Sequence, residues 1–398
     1  MSLSLRLNYG DVKSLMGKRS EAELAGSMLM RGSAKHSRQQ IEDTLDILST
    51  SLDMDGGATS LQASGRTVRK NLAPVIDLLA EILRKPTFPA AELETLKRES
   101  IASLEQERAD PEAMANRTLA RYGNPYPRGD VRYEPTLDEE IAETKTPGVA
   151  ALKAFHQQFY GGAAGEIAIV GDFDAAAVKA QLEKSFGDWK AVKPFARVPD
   201  PLVVKKPVAT KIETPDKANA YIVGATSFPL MDTDPDYPAL MLANYIVGGS
   251  ADSRLWNRIR QREGLSYGVG SSLSVSRFEP NASFNVSATF APQVLDRLRN
   301  GLQEELSRAT SAGFTSQEVS EAKSALLLER GLSRTRDPSL AGALVEQEYV
   351  GRTFALSGQI DKAIEALTPE QVSAALKKYV NADALAYVFA GDFAKARK

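Results

Sequence analysis

The spacing of hydrophobic residues changes from a helical to a strand period within one stretch, SRLWNRIRQREGLSYGVGSSLSVS (253–276). Leu255 and Ile259 lie four residues apart, so they share one face of a predicted amphipathic helix. A glycine then follows an arginine-rich turn, as is typical just after a helix ends. From Tyr267 onward, larger residues alternate with glycine and serine, which predicts a strand. The turn therefore brings Arg260, on the last helical turn, near Tyr267.

An amphipathic helix is also predicted after Ser37. Ser37 and Gln40 have the spacing of a capping box, in which each side chain bonds the main chain near the other residue. Apolar residues then recur every three or four positions, which predicts that one helix face contains Ile41, Leu45, Leu48 and Leu52.

Two Asp-Pro dipeptides are interpreted as helix stops. Helices are predicted at 89–108 and at 315–336, and Asp110-Pro111 and Asp337-Pro338 follow them. The residue before a proline is disfavoured in the helical conformation, so each pair is expected to end the helix before it.

Several landmarks recur in one order roughly 220 residues apart, which indicates an internal duplication. Each half has a lysine on a helix before the Asp-Pro pair, then a Thr-Pro that starts a helix, then a strand ending in Gly-Asp-Phe. These landmarks are Lys97, Thr146-Pro147, 171–173, Lys323, Thr368-Pro369 and 391–393. We predict an α+β protein of two homologous units, 1–195 and 196–398, each an antiparallel sheet with helices on one face.

Composition limits the class of protein. The 398 residues include 43% hydrophobic and 25% charged residues, as is typical of globular proteins. The net charge of −2 gives no reason to expect nucleic acid or an anionic membrane as a partner. No apolar run approaches the roughly 18 residues of a membrane-spanning helix. The absence of cysteine excludes disulfides and thiolate metal sites.

Arg260 and Tyr267 form a candidate clamp for a carbonyl group. Arginine offers five donors in a fixed fork, and the tyrosine hydroxyl can donate to a polarised oxygen. The alternative is that Arg260 is a solvated helix-end charge and Tyr267 a half-buried strand residue on the face of Val269. Spacing alone leaves both interpretations open.

No self-sufficient catalytic site is visible in the sequence. The two histidines, His36 and His156, are far apart and have no obvious partner, so both are interpreted as polar surface residues. Nucleophile-elbow, phosphate-loop and dinucleotide motifs are absent.

The chain nevertheless resembles, over essentially its whole length, the pitrilysin/insulinase family of zinc metallopeptidases, the inverzincins. The residues that carry the resemblance are ELAGSMLMRGS (Glu23 to Ser33), the two Gly-Asp-Phe strand ends and GGSADSRLWNRIRQREGLSY (Gly248 to Tyr267). The resemblance implies the metallohydrolase fold of the mitochondrial processing peptidase type. It also implies two halves that close as a clam shell around a peptide.

The zinc motif of an active half, His-x-x-Glu-His, is degenerate here. The resemblance places its five positions on Glu23, Leu24, Ala25, Gly26 and Ser27. Two histidines at i and i+4 would bind zinc, and the glutamate would activate water. Glu23 and Ser27 cannot replace two imidazoles, and Gly26 cannot act as a base. Glu105 falls near the third-ligand position, but one carboxylate does not hold zinc, so this half is expected to be metal-free.

The inactive halves of the family supply an arginine and a tyrosine seven residues apart, which Arg260 and Tyr267 match. The resemblance implies that the pair contacts a peptide substrate near the scissile bond. A homologous His-x-x-Glu-His half or subunit, fused or separate, would bring the zinc. The expectation is thus an assembled zinc endopeptidase in which this chain alone is inactive.

The alternative is a scaffold subunit of the same fold with no proteolytic role, although a scaffold has no need of the pair. The compartment stays open. Exported bacterial relatives favour the periplasm.

Overall fold

A computed structural model describes residues 1–396 as two compact units. Unit 1 contains Met1–Ser103, Tyr126–Val198 and Leu332–Thr353, and unit 2 contains Leu104–Pro125, Pro199–Gly331 and the residues from Phe354 onward. Among the described residues, every helix is too short or too polar to cross a bilayer.

Each unit is built on one sheet, and nine strands are present in residues 1–396. They are β1 Ser2–Asn8, β2 Ser51–Gly56, β3 Ser60–Arg66, β4 Gly165–Val170, β5 Val208–Glu213, β6 Ala220–Phe228, β7 Ser266–Val275, β8 Ala282–Phe290 and β9 Ala386–Gly391. The sheet of unit 1 has the order β2-β3-β1-β4, and that of unit 2 has the order β5-β9-β6-β8-β7. Both are antiparallel except that β5 is parallel to β9, so the second sheet is mixed rather than purely antiparallel as predicted.

The α-helices lie singly or in groups between and after these strands. They are α1 Arg19–Met28, α2 Arg38–Ile47, α3 Leu72–Arg84, α4 Ala90–Glu107, α5 Pro111–Arg121, α6 Leu137–Lys145, α7 Val149–Phe159, α8 Ala175–Phe186, α9 Tyr237–Asn244, α10 Leu295–Ala312, α11 Ser316–Ser333, α12 Asp337–Tyr349, α13 Phe354–Ala366, α14 Pro369–Tyr379 and α15 Phe393–Ala396. Two π-helical segments, Tyr245–Gly249 and Trp256–Arg262, follow α9. Short 3₁₀ turns lie at Leu29–Arg31, Arg69–Asn71, Gly162–Ala164, Pro292–Val294 and Ala382–Ala384.

The structure confirms the capping box of α2 but corrects the end of that helix. Ser37 accepts a bond from the Gln40 main chain, and the Gln40 side chain bonds back. The helix ends at Ile47, and Leu52 lies in β2 instead of on the helix face. In β2, buried Leu52 and half-buried Met54 alternate with exposed aspartates, a strand period that the helical reading missed.

The helices before the two Asp-Pro pairs end at Glu107 and Ser333, as predicted, but each pair also starts the next helix, which was not predicted. The Asp110 side chain accepts a bond from Ala113 N at 2.7 Å, and Pro111 is the first residue of α5. Asp337 and Pro338 open α12. A proline at the first helical turn loses no hydrogen bond, and an acidic side chain there caps free N–H groups.

These two helices are exchanged between the halves of the chain. Helix α5 comes from the first half but packs on β6 and β9 of unit 2, whereas α12 comes from the second half and packs on β1 and β4 of unit 1. The packing units therefore differ from the predicted ranges 1–195 and 196–398. Each sheet also has a helix on its second face, which corrects the prediction of helices on one face only.

In unit 2, the second face of the sheet forms a small apolar cluster with α5. Ala115 and Leu119 of α5 are buried against Val223, Val388 and neighbouring residues. The main core lies on the opposite face, where Ile222, Phe284 and the helices pack together.

The two repeated lysines make equivalent hydrogen bonds in the two units. Lys97 Nζ donates to Lys145 O at 3.0 Å, and Lys323 Nζ donates to Leu367 O. Each carbonyl directly precedes a Thr-Pro pair. This match and the common strand order support the duplication, which stays a prediction.

Replacing Leu119 with alanine should destabilise unit 2, because it leaves a cavity under α5. We expect the free energy of unfolding to fall by about 2–4 kcal/mol. The chain has two tryptophans, Trp189 in unit 1 and Trp256 in unit 2, so each unit carries its own fluorescence probe. In a Trp189→Phe background, we expect Leu119→Ala to lower the urea concentration at the midpoint of unfolding, as measured by Trp256 fluorescence. Leu328→Ala, at a position that is 63% exposed, is the matched control. An unchanged Trp256 transition in this background would contradict the exchanged packing of α5.

Candidate functional site

Arg260 and Tyr267 lie on either side of a tight turn in unit 2. The preceding helix is π-helical over Trp256–Arg262, with Glu263 N donating to Arg258 O at 3.0 Å. π-Helical segments are rare in proteins, and those that occur are often at functional sites. Gly264 follows with φ +61°, a left-handed conformation that suits glycine, as predicted.

The predicted apolar face holds the π-helical segment on the core of unit 2. Leu255 and Ile259 are fully buried, as their spacing predicted. On helix α10, a Cβ atom at Gly301 would lie 2.8 Å from Ile259 Cδ1, so the glycine makes room for this side chain.

An ion pair anchors the start of the segment. Arg254 binds both carboxylate oxygens of Glu318, at 2.6 and 2.8 Å, and donates to Gly313 O at 2.8 Å. The hydrogen bonds from Arg254 lower the pKa of Glu318 to about 2. The carboxylate therefore stays ionised at neutral pH, and the bidentate pair fixes where the segment begins.

The segment holds Arg260 in a defined position. Its guanidinium stacks over the Trp256 ring at 4.2 Å, and Nη1 donates to the Tyr267 main-chain oxygen at 2.5 Å. The structure therefore brings the two predicted residues together, but through the tyrosine backbone rather than its ring. Cation–π stacking and a charge-assisted bond together limit the freedom of the arginine.

Tyr267 does not follow the regular alternation of β7. The register shifts between Ser266 and Gly268, which leaves Tyr267 as the extra residue of a β-bulge. The Ser266 hydroxyl fixes this bulge, because its oxygen lies 2.7 Å from Gly268 O and 2.6 Å from Thr289 O and its proton can be donated to either. As a result, Tyr267 is 76% exposed while Val269 is 7% exposed, so the half-buried strand interpretation is wrong.

Sequence analysis missed two residues of this site, Trp256 and Ser266. Trp256 precedes Arg260 by four residues, the spacing at which helical side chains meet, and that signal was available. Ser266 has no sequence signal, because its role depends on the Thr289 carbonyl of a neighbouring strand.

A second polar region borders the same segment. Arg254, Arg258, Arg262 and Arg308 line a cavity of about 640 Å³. Three of these arginines are already paired with glutamates, including Arg308 with fully buried Glu305. Most of the positive charge is therefore used within the protein.

The degenerate motif lies on α1 of unit 1, where its residues have structural contacts. Glu23 Oε1 accepts from Arg19 Nε at 3.0 Å, and burial raises the pKa of Glu23. A Cβ atom at Gly26 would lie 2.4 Å from Gly56 Cα, so helix and strand touch backbone to backbone. The position of the family's glutamate thus has no room for a side chain, and the donors at Glu23 and Ser27 do not fit zinc.

Glu105, the residue near the predicted third-ligand position, does not lie in the same unit as the degenerate motif. Glu105 lies in unit 2, where its half-exposed carboxylate pairs with Arg108 at 2.5 Å. In residues 1–396, no three His, Asp or Glu side chains are arranged to hold a metal ion.

The two histidines have structural partners. His36 Nδ1 lies 3.0 Å from Glu81 Oε1, at a half-buried position. His156 is only 8% exposed, and its Nε2 lies 2.7 Å from Leu83 O, so the surface interpretation is wrong for this residue. Burial lowers the pKa of His156.

Replacing Gly26 with alanine should lower the free energy of unfolding of unit 1 by about 1–3 kcal/mol, because the methyl group forces α1 away from Gly56. Gly342→Ala is the control, since a Cβ atom there meets nothing within 4 Å and alanine favours a helix. Urea denaturation followed at Trp189 measures both. Equal stability of the two variants would contradict the close contact.

Comparison with known proteins shows which proteins this chain resembles. Residues 149–326 match the Peptidase M16 inactive domain. A non-peptidase homologue from Helicobacter pylori, YmxG, is 21% identical over 373 residues, which cover 92% of this chain and 83% of that protein.

Solved structures share the fold. The peptidase M16 inactive domain from Pseudomonas fluorescens has a TM-score of 0.84 and 24% identity, covering 98% of this chain and 92% of that one. The periplasmic protease PqqL from Escherichia coli has a TM-score of 0.75 and 18% identity, covering 98% of this chain but 42% of PqqL. The comparisons confirm the resemblance and the fold: residues 149–326 match the Peptidase M16 inactive domain, and almost the whole chain shares the fold of a solved M16 inactive domain.

Proposed function

We propose that this chain is the non-catalytic half of a zinc endopeptidase and that Arg260 and Tyr267 hold the peptide substrate. The observation that best supports this proposal is the bulge, which exposes the Tyr267 side chain and fixes Arg260 beside it. A structural strand residue would gain stability by burying its ring, so this exposure favours a binding role.

The chemistry of the pair suits a peptide. The phenol hydroxyl and the guanidinium can donate to a carbonyl oxygen, whose negative charge grows as the peptide bond is attacked. Arg260 has one donor engaged by Tyr267 O and its face covered by Trp256, which leaves further N–H groups for a ligand. The pair would thus position the peptide and stabilise developing charge.

Zinc and the activating base would come from a homologous partner with an intact His-x-x-Glu-His motif. Residues 23–27 of this chain do not suit a metal, and the chain matches only part of the PqqL protease. Both observations support an arrangement in which a second half, fused or separate, supplies the metal that activates water.

A scaffold role without proteolysis is the second candidate. The name of the Helicobacter pylori relative, a non-peptidase homologue, favours it. A tagged pull-down from the host, with mass spectrometry, separates the two. A partner containing His-x-x-Glu-His supports the peptidase half, whereas a large assembly without such a chain supports the scaffold.

In the reconstituted enzyme, Arg260→Ala and Tyr267→Phe should each lower kcat/KM for peptide cleavage by about 10²-fold, the range for loss of one transition-state donor. Arg262→Ala is the matched control, because this exposed arginine lies on the same π-helical segment and lines the 640 Å³ cavity. Circular dichroism confirms that each variant is folded. Turnover that is unchanged in both test variants would refute the assignment of the pair.

A further inference from the structure

We propose that a cavity on the second face of the sheet in unit 2 binds a neutral mono- or disaccharide. The cavity has a volume of about 500 Å³, and small-molecule sites typically measure roughly 300–1,000 Å³. Strands β6, β7 and β8 form its floor, helix α5 forms one wall, and a strap segment, residues 199–207, forms another. All the lining residues belong to unit 2, and the proposal does not rest on the proteolytic role.

The floor of the cavity consists of hydroxyl and amide side chains. Along β8, Ser283, Asn285 and Ser287 line the cavity and alternate with buried apolar residues of the main core. Ser272 of β7 lies opposite Asn285 in the strand pairing. Polar residues are usual on a sheet face that water covers, but here α5 and the strap enclose that face. Enclosed polar groups need hydrogen-bond partners, which a ligand can supply.

Hydrogen bonds hold the strap over this face at both of its ends. Lys205 Nζ donates to Leu119 O at 2.9 Å and to Tyr122 O at 2.5 Å, at the end of α5. Asn281 Nδ2 donates to Asp200 O at 3.0 Å and to Asp200 Oδ2 at 3.2 Å, beside the start of β8. The strap is therefore a fixed wall of the cavity, tied to the helix on one side and to the sheet on the other.

The same bonds make the cavity electrically neutral. Asp200 and Lys205 are the charged residues that line it, their charges are opposite, and each is engaged by groups of the chain. An ionic ligand would lose its hydration here without gaining a counter-ion. The lining therefore selects an uncharged ligand.

The polar floor adjoins an apolar patch. This patch consists of Leu119, Ala120, Pro201, Val203, Val223 and Ala225. Hydroxyl and amide groups both donate and accept hydrogen bonds, so they pair best with ligand groups that also do both. A pyranose ring has hydroxyls around its edge and C–H groups on its faces, which matches a polar floor beside an apolar patch. A neutral sugar is thus the class of ligand that fits.

The corresponding face of unit 1 is filled by side chains of the chain itself. Arg6 of β1 pairs with Glu346 of α12 at 3.4 Å, and its guanidinium lies 4.0 Å from the centre of the Tyr349 ring. Helix α12 covers that sheet as α5 covers the sheet of unit 2. The fold can therefore close such a face with its own residues, so the open cavity in unit 2 is not imposed by the architecture.

Saturation-transfer NMR on the full chain tests binding with glucose, galactose, mannose and N-acetylglucosamine as probes. We expect transfer to at least one of these neutral sugars. The uronate and the 2-amino derivative of that sugar keep its ring and add a negative or a positive charge. Because the cavity offers no free counter-ion, each charged derivative should have a Kd about tenfold higher or more.

Two variants test the floor of the cavity. Asn285→Leu removes the amide at similar size, and Ser287→Leu fills the space beside it. Each should raise the Kd of the sugar about tenfold, equivalent to roughly 1.4 kcal/mol. Asn300→Leu, the same change at an exposed position of α10, is the matched control and should leave the Kd unchanged. Urea denaturation followed at Trp256 checks that each variant is folded.

Hydrogen exchange locates the bound sugar. Amides of the strap and of the last turn of α5 should exchange more slowly in its presence, whereas amides of unit 1 should not change. The proposal is overturned if no neutral sugar shows transfer, if the charged derivatives bind equally well, or if Asn285→Leu and Ser287→Leu bind like the wild type. Sugar binding by this chain alone would stand even if the proposed proteolytic role fails.

Discussion

Covering both faces of each sheet is the constraint on which the rest of this structure depends. In unit 2, Ile222 and Phe284 face the main helical core, while Val223 and Val388 face the opposite side. Apolar residues on both faces require helices on both faces. The fold meets this need by exchanging one helix between the chain halves, and α5 covers only part of the second face. The uncharged surface of β8 and β7 is the part that α5 leaves open.

Much of the fold could be predicted from local patterns. The alternation in 266–275, the capping box at Ser37 and the apolar pair Leu255 and Ile259 each indicated the correct element, because these signals depend on neighbouring residues. The Asp-Pro pairs correctly marked the ends of α4 and α11, but the helices that they start were missed. An Asp-Pro pair suits the start of a helix as well as the end of the one before it, so the pair alone does not show that a new helix follows.

The central pair of the candidate site could be predicted from the sequence, but its supporting residues and its geometry could not. The separation of Arg260 and Tyr267 came from the sequence, and the resemblance gave it meaning. The bulge depends on the Ser266 hydroxyl reaching Thr289 of the next strand, a contact between residues 23 positions apart. Likewise, the sequence showed that Gly26 cannot act as a base, but only the structure shows that Gly56 fills the space beside it. The position that corresponds to the glutamate of the motif is therefore occupied by a contact between two backbones.

The exchange of α12 has a consequence for synthesis on the ribosome. Unit 1 begins at Met1, but its last segment, Leu332–Thr353, is made only after most of unit 2. At about 5–20 residues per second, the first sheet waits on the order of ten seconds after residue 198 for its covering helix. During that interval the faces of β1 and β4 are open to solvent, and nascent-chain chaperones have a defined surface to shield. The order of translation thus leaves unit 1 incomplete until most of unit 2 has been made, and the residues from Phe354 onward then complete unit 2.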